Sequence, residues 1–113
     1  MGYIMHDAII VTAFRDQDAV AGRDKAEELG LPVSNLVRSM VNGYTTFLIA
    51  PDGSKEGWSD SDKYDGIRAR WLEWAHKAYA DGMYLKWCHV RYGESPAYTV
   101  GEDADDEEAA DAR

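Results

Sequence analysis

Apolar positions along the first part of the chain predict a buried strand followed by a helix. Residues 4–14 (IMHDAIIVTAF) are largely apolar at both alternate sets of positions, which is typical of a strand in the middle of a sheet. Residues 17–29 have a helical composition, with alanines and a leucine on one face and acids on the other. We expect Asp16 to be the N-cap of this helix, and Gly30 with Pro32 to end it.

The dipeptide Asn42-Gly43 predicts a hairpin between the second and third strands. It separates residues 35–41 from residues 44–50, two runs rich in apolar and β-branched side chains. Both residues of the dipeptide tolerate positive φ, which a two-residue type I′ turn requires. Such a turn places the residues that flank the dipeptide opposite each other, and so it fixes the register of the whole pair.

This register gives the hairpin two different sides. One side pairs Arg38 with Phe47 and holds the larger apolar groups, so we expect the helices to cover it. The other side holds Tyr44 and pairs Ser39 with Thr46, so we expect it to be partly open. Tyr44 and Thr46 are therefore candidate contacts for a partner or ligand.

A long amphipathic helix and a fourth strand are predicted in the second half of the chain. The helix begins near residue 59 or 61 and reaches Ala80, and Gly82 closes it. One apolar stripe runs along it at helical spacing: Ile67, Trp71, Trp74, Ala75 and Ala78. Residues 84–92 (YLKWCHVRY) alternate and carry charges, which is typical of an edge strand. Residues 93–100 are interpreted as a tether.

The predicted order of elements is β-α-β-β-α-β, which indicates the α+β class and the ferredoxin-like arrangement. That arrangement is a four-stranded antiparallel sheet with both helices on one face and the first and third strands in the centre. We assign residues 1–100 to this single domain and residues 101–113 to a disordered acidic tail.

The net charge of −9 is concentrated in the predicted tail. Residues 101–113 carry a net charge of −6, which leaves −3 for residues 1–100. The tail serves solubility or docks on a basic partner, and the first role is the more general one. Direct nucleic-acid binding is not expected, because the basic residues are scattered among acids and form no stripe.

Metal, disulfide and membrane chemistry find little support in the sequence. Cys88 is the single cysteine, which excludes an intramolecular disulfide. The other soft ligands, His6, His76 and His89, lack the usual ligand spacing, so we expect no metal site. No phosphate-binding glycine motif, transmembrane-length apolar run or signal peptide is found, so we expect no cofactor and a cytoplasmic protein.

The loop that follows the third strand is the second candidate site. It places backbone amides, Asp52, Lys55 and Trp58 close together, a combination that could hold a phosphate and stack a base. The simpler interpretation is a turn that leads into the second helix, because Pro51, Asp52 and Gly53 are typical turn residues.

Three segments of the chain resemble a group of small phage-encoded proteins. They are residues 41–58 (VNGYTTFLIAPDGSKEGW), 6–12 (HDAIIVT) and 90–94 (VRYGE), and the resemblance covers most of residues 6–94. The resemblance implies a phage or prophage origin and the cytoplasm of a bacterial host. No activity is established for the group, so it supplies no catalytic residue. Small accessory phage proteins are often non-enzymatic and act by binding host machinery, including defence systems.

The sequence therefore favours a small non-enzymatic accessory protein that binds a host protein. Inhibition of a bacterial defence system, such as an anti-CRISPR role, is the specific form that the resemblance implies. Two alternatives stay open: an oligomer that binds or sequesters a nucleotide through the loop of residues 52–58, and an enzyme whose site assembles from distant residues. An open sheet face or a free edge would also permit a homodimer.

Overall fold

Two helices and five strands form the part of the chain that the structure describes. The structure is a computed structural model that describes residues 4–55, residues 57–93 and the backbone of residues 100–103. The elements are β1 (Met5–Ala13), α1 (Asp16–Glu28), β2 (Val37–Arg38), β3 (Thr45–Ile49), α2 (Ser59–Ala80), β4 (Leu85–Gly93) and β5 (Val100–Asp103). The strands form one sheet in the order β2-β3-β1-β4-β5, and every neighbouring pair is antiparallel. The predicted α+β class, with an antiparallel sheet and two helices, is confirmed.

The fifth strand is the main difference from the predicted set of elements. Residues 88–91 of β4 pair with β5, so the prediction that β4 is an edge strand is wrong. Charged side chains on β4 are compatible with a further strand, because pairing needs only the backbone N–H and C=O groups of β4. The new strand also crosses the predicted domain boundary, because residues 101–103 belong to the sheet. The remainder of the predicted tail, residues 104–113, lies outside the described residues.

One face of the sheet packs against the helices to form the core. Side chains alternate along a strand, and the residues at odd positions of β1, β3 and β4 point to the helices. The largest fully buried side chains are Trp71, Phe47, Ile9, Ile49, Leu85 and Val11. The indole N–H of Trp71 donates a 2.9 Å hydrogen bond to the carbonyl oxygen of Gly22, which joins the two helices. The apolar stripe predicted for the second helix is therefore correct, and Trp71 and Ala75 are its buried centre.

The hairpin has a longer loop than the predicted one. The backbone N–H of Ser39 donates to the carbonyl oxygen of Tyr44 at 2.7 Å, so residues 40–43 form a four-residue loop. Asn42 and Gly43 have φ values of 68° and 70°, as the turn prediction required. The predicted register is nevertheless wrong by two residues, because the Ser39 hydroxyl accepts from the Tyr44 N–H and stabilises the wider loop. An even shift keeps each side chain on its predicted side.

The first helix begins differently from the prediction. Asp16 is its first helical residue, and Arg15 occupies the N-cap position without a side-chain hydrogen bond. The Asp16 carboxylate accepts a 2.5 Å hydrogen bond from the Thr45 hydroxyl and pairs with Arg38. The predicted N-cap is wrong because this carboxylate binds the hairpin instead of the helix N-terminus.

Candidate functional site

The sheet face opposite the helices carries apolar side chains that the helices do not cover. Ile10 is 44% exposed and lies between Leu48 of β3 and Cys88 of β4. Thr12, next on the same face, is paired with Thr46 and Lys86. We use the name open face for the following residues of this surface: Ile10, Thr12, Phe14, Val37, Tyr44, Thr46, Leu48, Tyr84 and Lys86.

Three aromatic rings meet at one end of the open face. Phe14 follows β1, whereas Tyr44 and Tyr84 immediately precede β3 and β4, and the antiparallel register brings these strand ends together. The ring centroid of Phe14 lies 5.7 Å from that of Tyr44 and 6.0 Å from that of Tyr84. The centroids of the two tyrosine rings are 6.5 Å apart. Phe14 is 54% exposed and Tyr84 is 39% exposed. We call these three residues the aromatic cluster.

The predicted contacts Tyr44 and Thr46 both lie on the open face. Tyr44 belongs to the aromatic cluster, and the Thr46 hydroxyl is hydrogen-bonded to the Thr12 hydroxyl at 2.8 Å. The only charged residue of the open face as defined is Lys86, whose ammonium donates to the Tyr79 hydroxyl at 3.1 Å and lies 4.9 Å from that ring's centre. The surface around Tyr44 and Thr46 is therefore close to neutral.

The other predicted site residues, in the loop before α2, lie elsewhere. Asp52 turns inward, where it accepts hydrogen bonds from the Ser54 N–H at 3.0 Å and from Arg68 at 2.7 Å. The Lys55 ammonium lies 5.5 Å from the ring centre of Trp58, which is 50% exposed. Lys55 also pairs with Ile4, just before β1, at the opposite end of that strand from the aromatic cluster. The five predicted residues thus belong to two separate places.

A buried charged cluster, absent from the sequence predictions, lies between the sheet and α2. The Asp7–Arg68 cluster, as we name it, comprises Asp7, Asp52, Asp65, Arg68, His89 and Arg91. Arg68 is 3% exposed, and its guanidinium contacts Asp7 at 3.6 Å and Asp52 at 2.7 Å. Asp7 also lies 2.8 Å from Arg91 Nε and 3.1 Å from His89 Nε2. The cluster joins β1, β4, α2 and the loop after β3.

The pKa values of two carboxylates in this cluster, Asp7 and Asp52, are lowered by their partners. Burial raises the pKa of Asp7. The hydrogen bond with His89 and the charges of Arg68 and Arg91 lower the pKa by more than burial raises it, so the net shift is downward. Burial likewise raises the pKa of Asp52, and its hydrogen bonds with Ser54 and Arg68 more than reverse that effect. Burial opposes the charge of Arg68, yet its acidic partners raise its pKa overall. The two arginines compensate most of the negative charge of the three carboxylates, and their ion pairs connect the elements that carry them.

Two sequence signals could have pointed to these residues. Asp7 is the one acid in the strand of residues 4–14, and it lies at an odd position like the core residues Ile9 and Val11. Arg68 precedes Trp71 by three residues, which puts it on the buried face of α2. Neither signal says which acid meets which base.

A small cavity of about 220 Å³ adjoins the cluster, with Ala69 and Leu72 completing its wall.

Among residues 4–55 and 57–93, no three histidine, cysteine or acidic side chains are grouped so as to hold a metal ion. Cys88 and His89 point to opposite faces of β4, since Cys88 pairs with Ile10 and His89 with Ile9. In the described part of the chain, no helix has both the length and the apolar character needed to span a membrane.

Comparison with protein-family models, with curated proteins and with solved structures finds no match for this chain.

Proposed function

We propose that this chain is a non-enzymatic protein-binding module, of the phage accessory type, whose open face docks on a host protein. The observation that carries this proposal is the exposure of large apolar side chains on one sheet face: Val37 is 62% exposed, Phe14 54% and Ile10 44%. Contiguous exposed apolar surface marks interaction sites in water-soluble folds. Aromatic residues such as those of the aromatic cluster supply most of the energy in many interfaces.

The charge of the chain indicates the chemistry of the partner. The chain carries a net charge of −9, whereas its open face holds one lysine that is bound to Tyr79. A partner with an apolar patch inside a basic surround complements both properties, because opposite charges steer the encounter while apolar contacts hold the complex. Proteins that bind nucleic acid have basic surfaces of this kind. Inhibition of a nucleic-acid-binding defence complex in the bacterial cytoplasm, an anti-CRISPR role for example, is the corresponding form of the proposal.

The ferredoxin-like arrangement is part of the same proposal. The order β2-β3-β1-β4, with antiparallel neighbours throughout, supports it. So does the core, in which Ala19 of α1 and Trp71 of α2 pack with Val11 on one face of the sheet. This arrangement leaves the second sheet face available for a partner.

The nucleotide-binding alternative has weaker support from the loop geometry. Asp52 is engaged with Arg68 inside the molecule, and the Lys55 ammonium lies near the Trp58 ring on which a base would stack. A thermal-shift panel of nucleotides tests it directly: a stabilisation that disappears in Lys55→Ala would favour the loop over the open face.

Two glutamate substitutions at similarly exposed apolar positions test the docking proposal. Ile10→Glu places a charge on the open face, and Val20→Glu places one on α1, where Val20 is 41% exposed. The tagged chain is used to purify the host partner, and each variant is then titrated against that purified partner by calorimetry. We expect Ile10→Glu to weaken binding by about a hundredfold and Val20→Glu to leave it within about threefold. Urea unfolding of both variants controls for folding.

Two results would overturn the docking proposal. The first is a complex whose affinity is the same for Ile10→Glu and for the unmodified chain. The second is a dimer of the chain alone, seen by sedimentation equilibrium and dissociated by Ile10→Glu. That result would identify the open face as an interface between two copies.

A further inference from the structure

The aromatic cluster has a geometry that suits a cationic group lying against its ring faces. The ring planes of Phe14 are inclined by 65° to Tyr44 and by 64° to Tyr84, and the two tyrosine rings are inclined by 39° to each other. Rings inclined in this way do not form one flat platform on which a base can lie across all three. The faces of aromatic rings are electron-rich and attract cations within about 6 Å of the ring centre.

Three other aromatic rings of the described residues have a lysine of the chain over them, whereas Tyr92, which is also exposed, has none. Lys55 lies over Trp58, Lys63 over Tyr64 and Lys86 over Tyr79, at 5.5, 5.4 and 4.9 Å. In residues 4–55 and 57–93, no lysine or arginine lies over the three rings of the aromatic cluster. These rings are thus available to a cation from outside.

Two arginines near the cluster in the chain, Arg15 and Arg38, are engaged in ion pairs, and Lys86 contacts Tyr79. Arg15 follows Phe14 directly, but its Nε is bound to Asp18 at 2.8 Å. Asp18 also accepts a 3.1 Å hydrogen bond from the backbone N–H of Tyr84, so the same carboxylate fixes Arg15 and this end of β4. Arg38 is paired with Asp16 in the same way. These two arginines are therefore paired with acids and not with the rings of the cluster.

From these observations we infer that the aromatic cluster receives the guanidinium group of an arginine side chain from the docked partner. The inference rests on the proposed function, since it assigns a role to one end of the open face. Arginine suits the cluster better than lysine because its planar cation is less strongly hydrated and stacks on aromatic faces. The net charge of −9 favours a basic segment of protein over the phosphate backbone of a nucleic acid.

A matched pair of peptides tests the inference on the full chain. One is acetyl-Gly-Gly-Arg-Gly-Gly-amide, and its twin carries citrulline, which has nearly the same shape but no charge. Each is titrated into the isotope-labelled chain at millimolar concentrations and followed by amide NMR. We expect the arginine peptide to shift the resonances around Phe14, Tyr44 and Tyr84, and the citrulline peptide to shift them at least about fivefold less.

Two single substitutions distinguish binding of the peptide at the aromatic cluster from binding elsewhere on the surface. Tyr84→Leu removes one ring of the cluster, and Tyr92→Leu removes a ring of β4 outside it; the two tyrosines are 39% and 41% exposed. We expect the arginine peptide to lose its effect in Tyr84→Leu and to keep it in Tyr92→Leu. Equal shifts with both peptides, or shifts confined to the acidic surface of α1, would overturn the inference. Stronger shifts of the cluster with a short oligo-dT would also overturn it, in favour of single-stranded nucleic acid.

The complex with the purified partner distinguishes this inference from the proposed function. We expect Tyr84→Leu to weaken that complex by roughly five- to thirtyfold. If Ile10→Glu abolishes binding while Tyr84→Leu has no effect, the arginine inference fails and the docking proposal stands. If neither variant changes the affinity, the docking proposal itself fails.

Discussion

Replacing Arg68 by methionine tests whether the Asp7–Arg68 cluster holds the fold together. Arg68 is 3% exposed, and its guanidinium reaches three carboxylates on three different segments of the chain. Methionine has a similar length but no charge and no N–H donors. The substitution therefore leaves Asp7 and Asp52, both nearly buried, without the cation that faces them.

The size of the effect follows from the partners that remain. Removing one member of a buried ion pair typically costs about 3–5 kcal/mol, because the other charge stays buried. We expect the lower end, about 3 kcal/mol, because Asp7 keeps its contacts with Arg91 and His89 and Asp52 keeps those with Ser54. A loss of that size is a large fraction of the roughly 5–15 kcal/mol by which a domain is stable.

Urea unfolding at neutral pH, followed by tryptophan fluorescence and circular dichroism, measures this loss. The matched control is Arg70→Met, since Arg70 lies two residues further along α2 and is exposed. We expect the control to change the unfolding free energy by less than about 0.5 kcal/mol. Adding Asp52→Asn to Arg68→Met removes one stranded charge and should restore about 1–2 kcal/mol.

Either of two results would refute this reasoning. If Arg68→Met and Arg70→Met have equally small effects, the carboxylates are hydrated and the cluster contributes no net stability. If Arg68→Met is costly but Asp52→Asn restores nothing, the loss comes from the packing of the arginine stem instead of from the unpaired charge.

Three further predictions concern acid stability and two glycines. The pKa values of Asp7 and Asp52 in the folded chain lie below their ordinary value of 3.8, so the unfolded chain binds protons at these residues more readily than the folded chain. The stability that the two ionised carboxylates contribute is therefore complete above pH 3.8 and is lost as the pH falls below that value. Urea titrations across this range should show a flatter pH dependence in Asp7→Asn and Asp52→Asn, and an unchanged slope would contradict the assignment. Gly93→Ala should lower the melting temperature, because its Cβ would lie 2.9 Å from the Cα of Met5 as well as against the Ile4 carbonyl; a neutral effect would mean that β1 shifts at no cost. Gly66→Ala should raise the free energy of unfolding by about 0.5–1 kcal/mol, because alanine favours the helix more than glycine does and nothing lies near the added Cβ. The same thermal scans should show this as a higher melting temperature.

The helices and the longer strands could be predicted because local periodicity specifies them. The apolar stripe at helical spacing gives residues 59–80, and Trp71 and Ala75 on that stripe are buried. The apolar run of residues 4–14 gives the central strand, whose bounds are Met5–Ala13. In both elements each residue contributes to one repeating pattern, so an error at a single position does not change the conclusion.

The hairpin register and β5 could not be predicted in this way. The register depends on one side chain, the Ser39 hydroxyl, which accepts from Tyr44 N–H and donates to the Val41 carbonyl oxygen. The strand β5 depends on backbone groups of β4 that are distant in sequence, and the acidic composition of residues 100–103 gives no sign of them. Local composition indicates which secondary structure a segment favours, whereas strand pairing depends on which other segment lies beside it in the fold.

The two groups of functional interest differ in the same respect. Tyr44 and Thr46 could be assigned to an open surface because alternation alone decides the face of a residue on a strand. The sequence pattern does not identify their neighbours Phe14 and Tyr84, since both lie one residue beyond a strand end and meet Tyr44 only through the order of the strands. The Asp7–Arg68 cluster is harder still to predict, because its residues come from two strands, a helix and a loop.

The two faces of β1 separate stability from binding in a way that makes both testable. Its odd positions carry the core and Asp7, whereas its even positions include Ile10 and Thr12 of the open face. A substitution on one face of a strand leaves the packing of the other face largely intact. Arg68→Met should therefore lower stability without changing the affinity of the folded chain for its partner, and Ile10→Glu should do the reverse. If each substitution changed both properties, the helices and the open face would not be independent, and docking would have to involve the core.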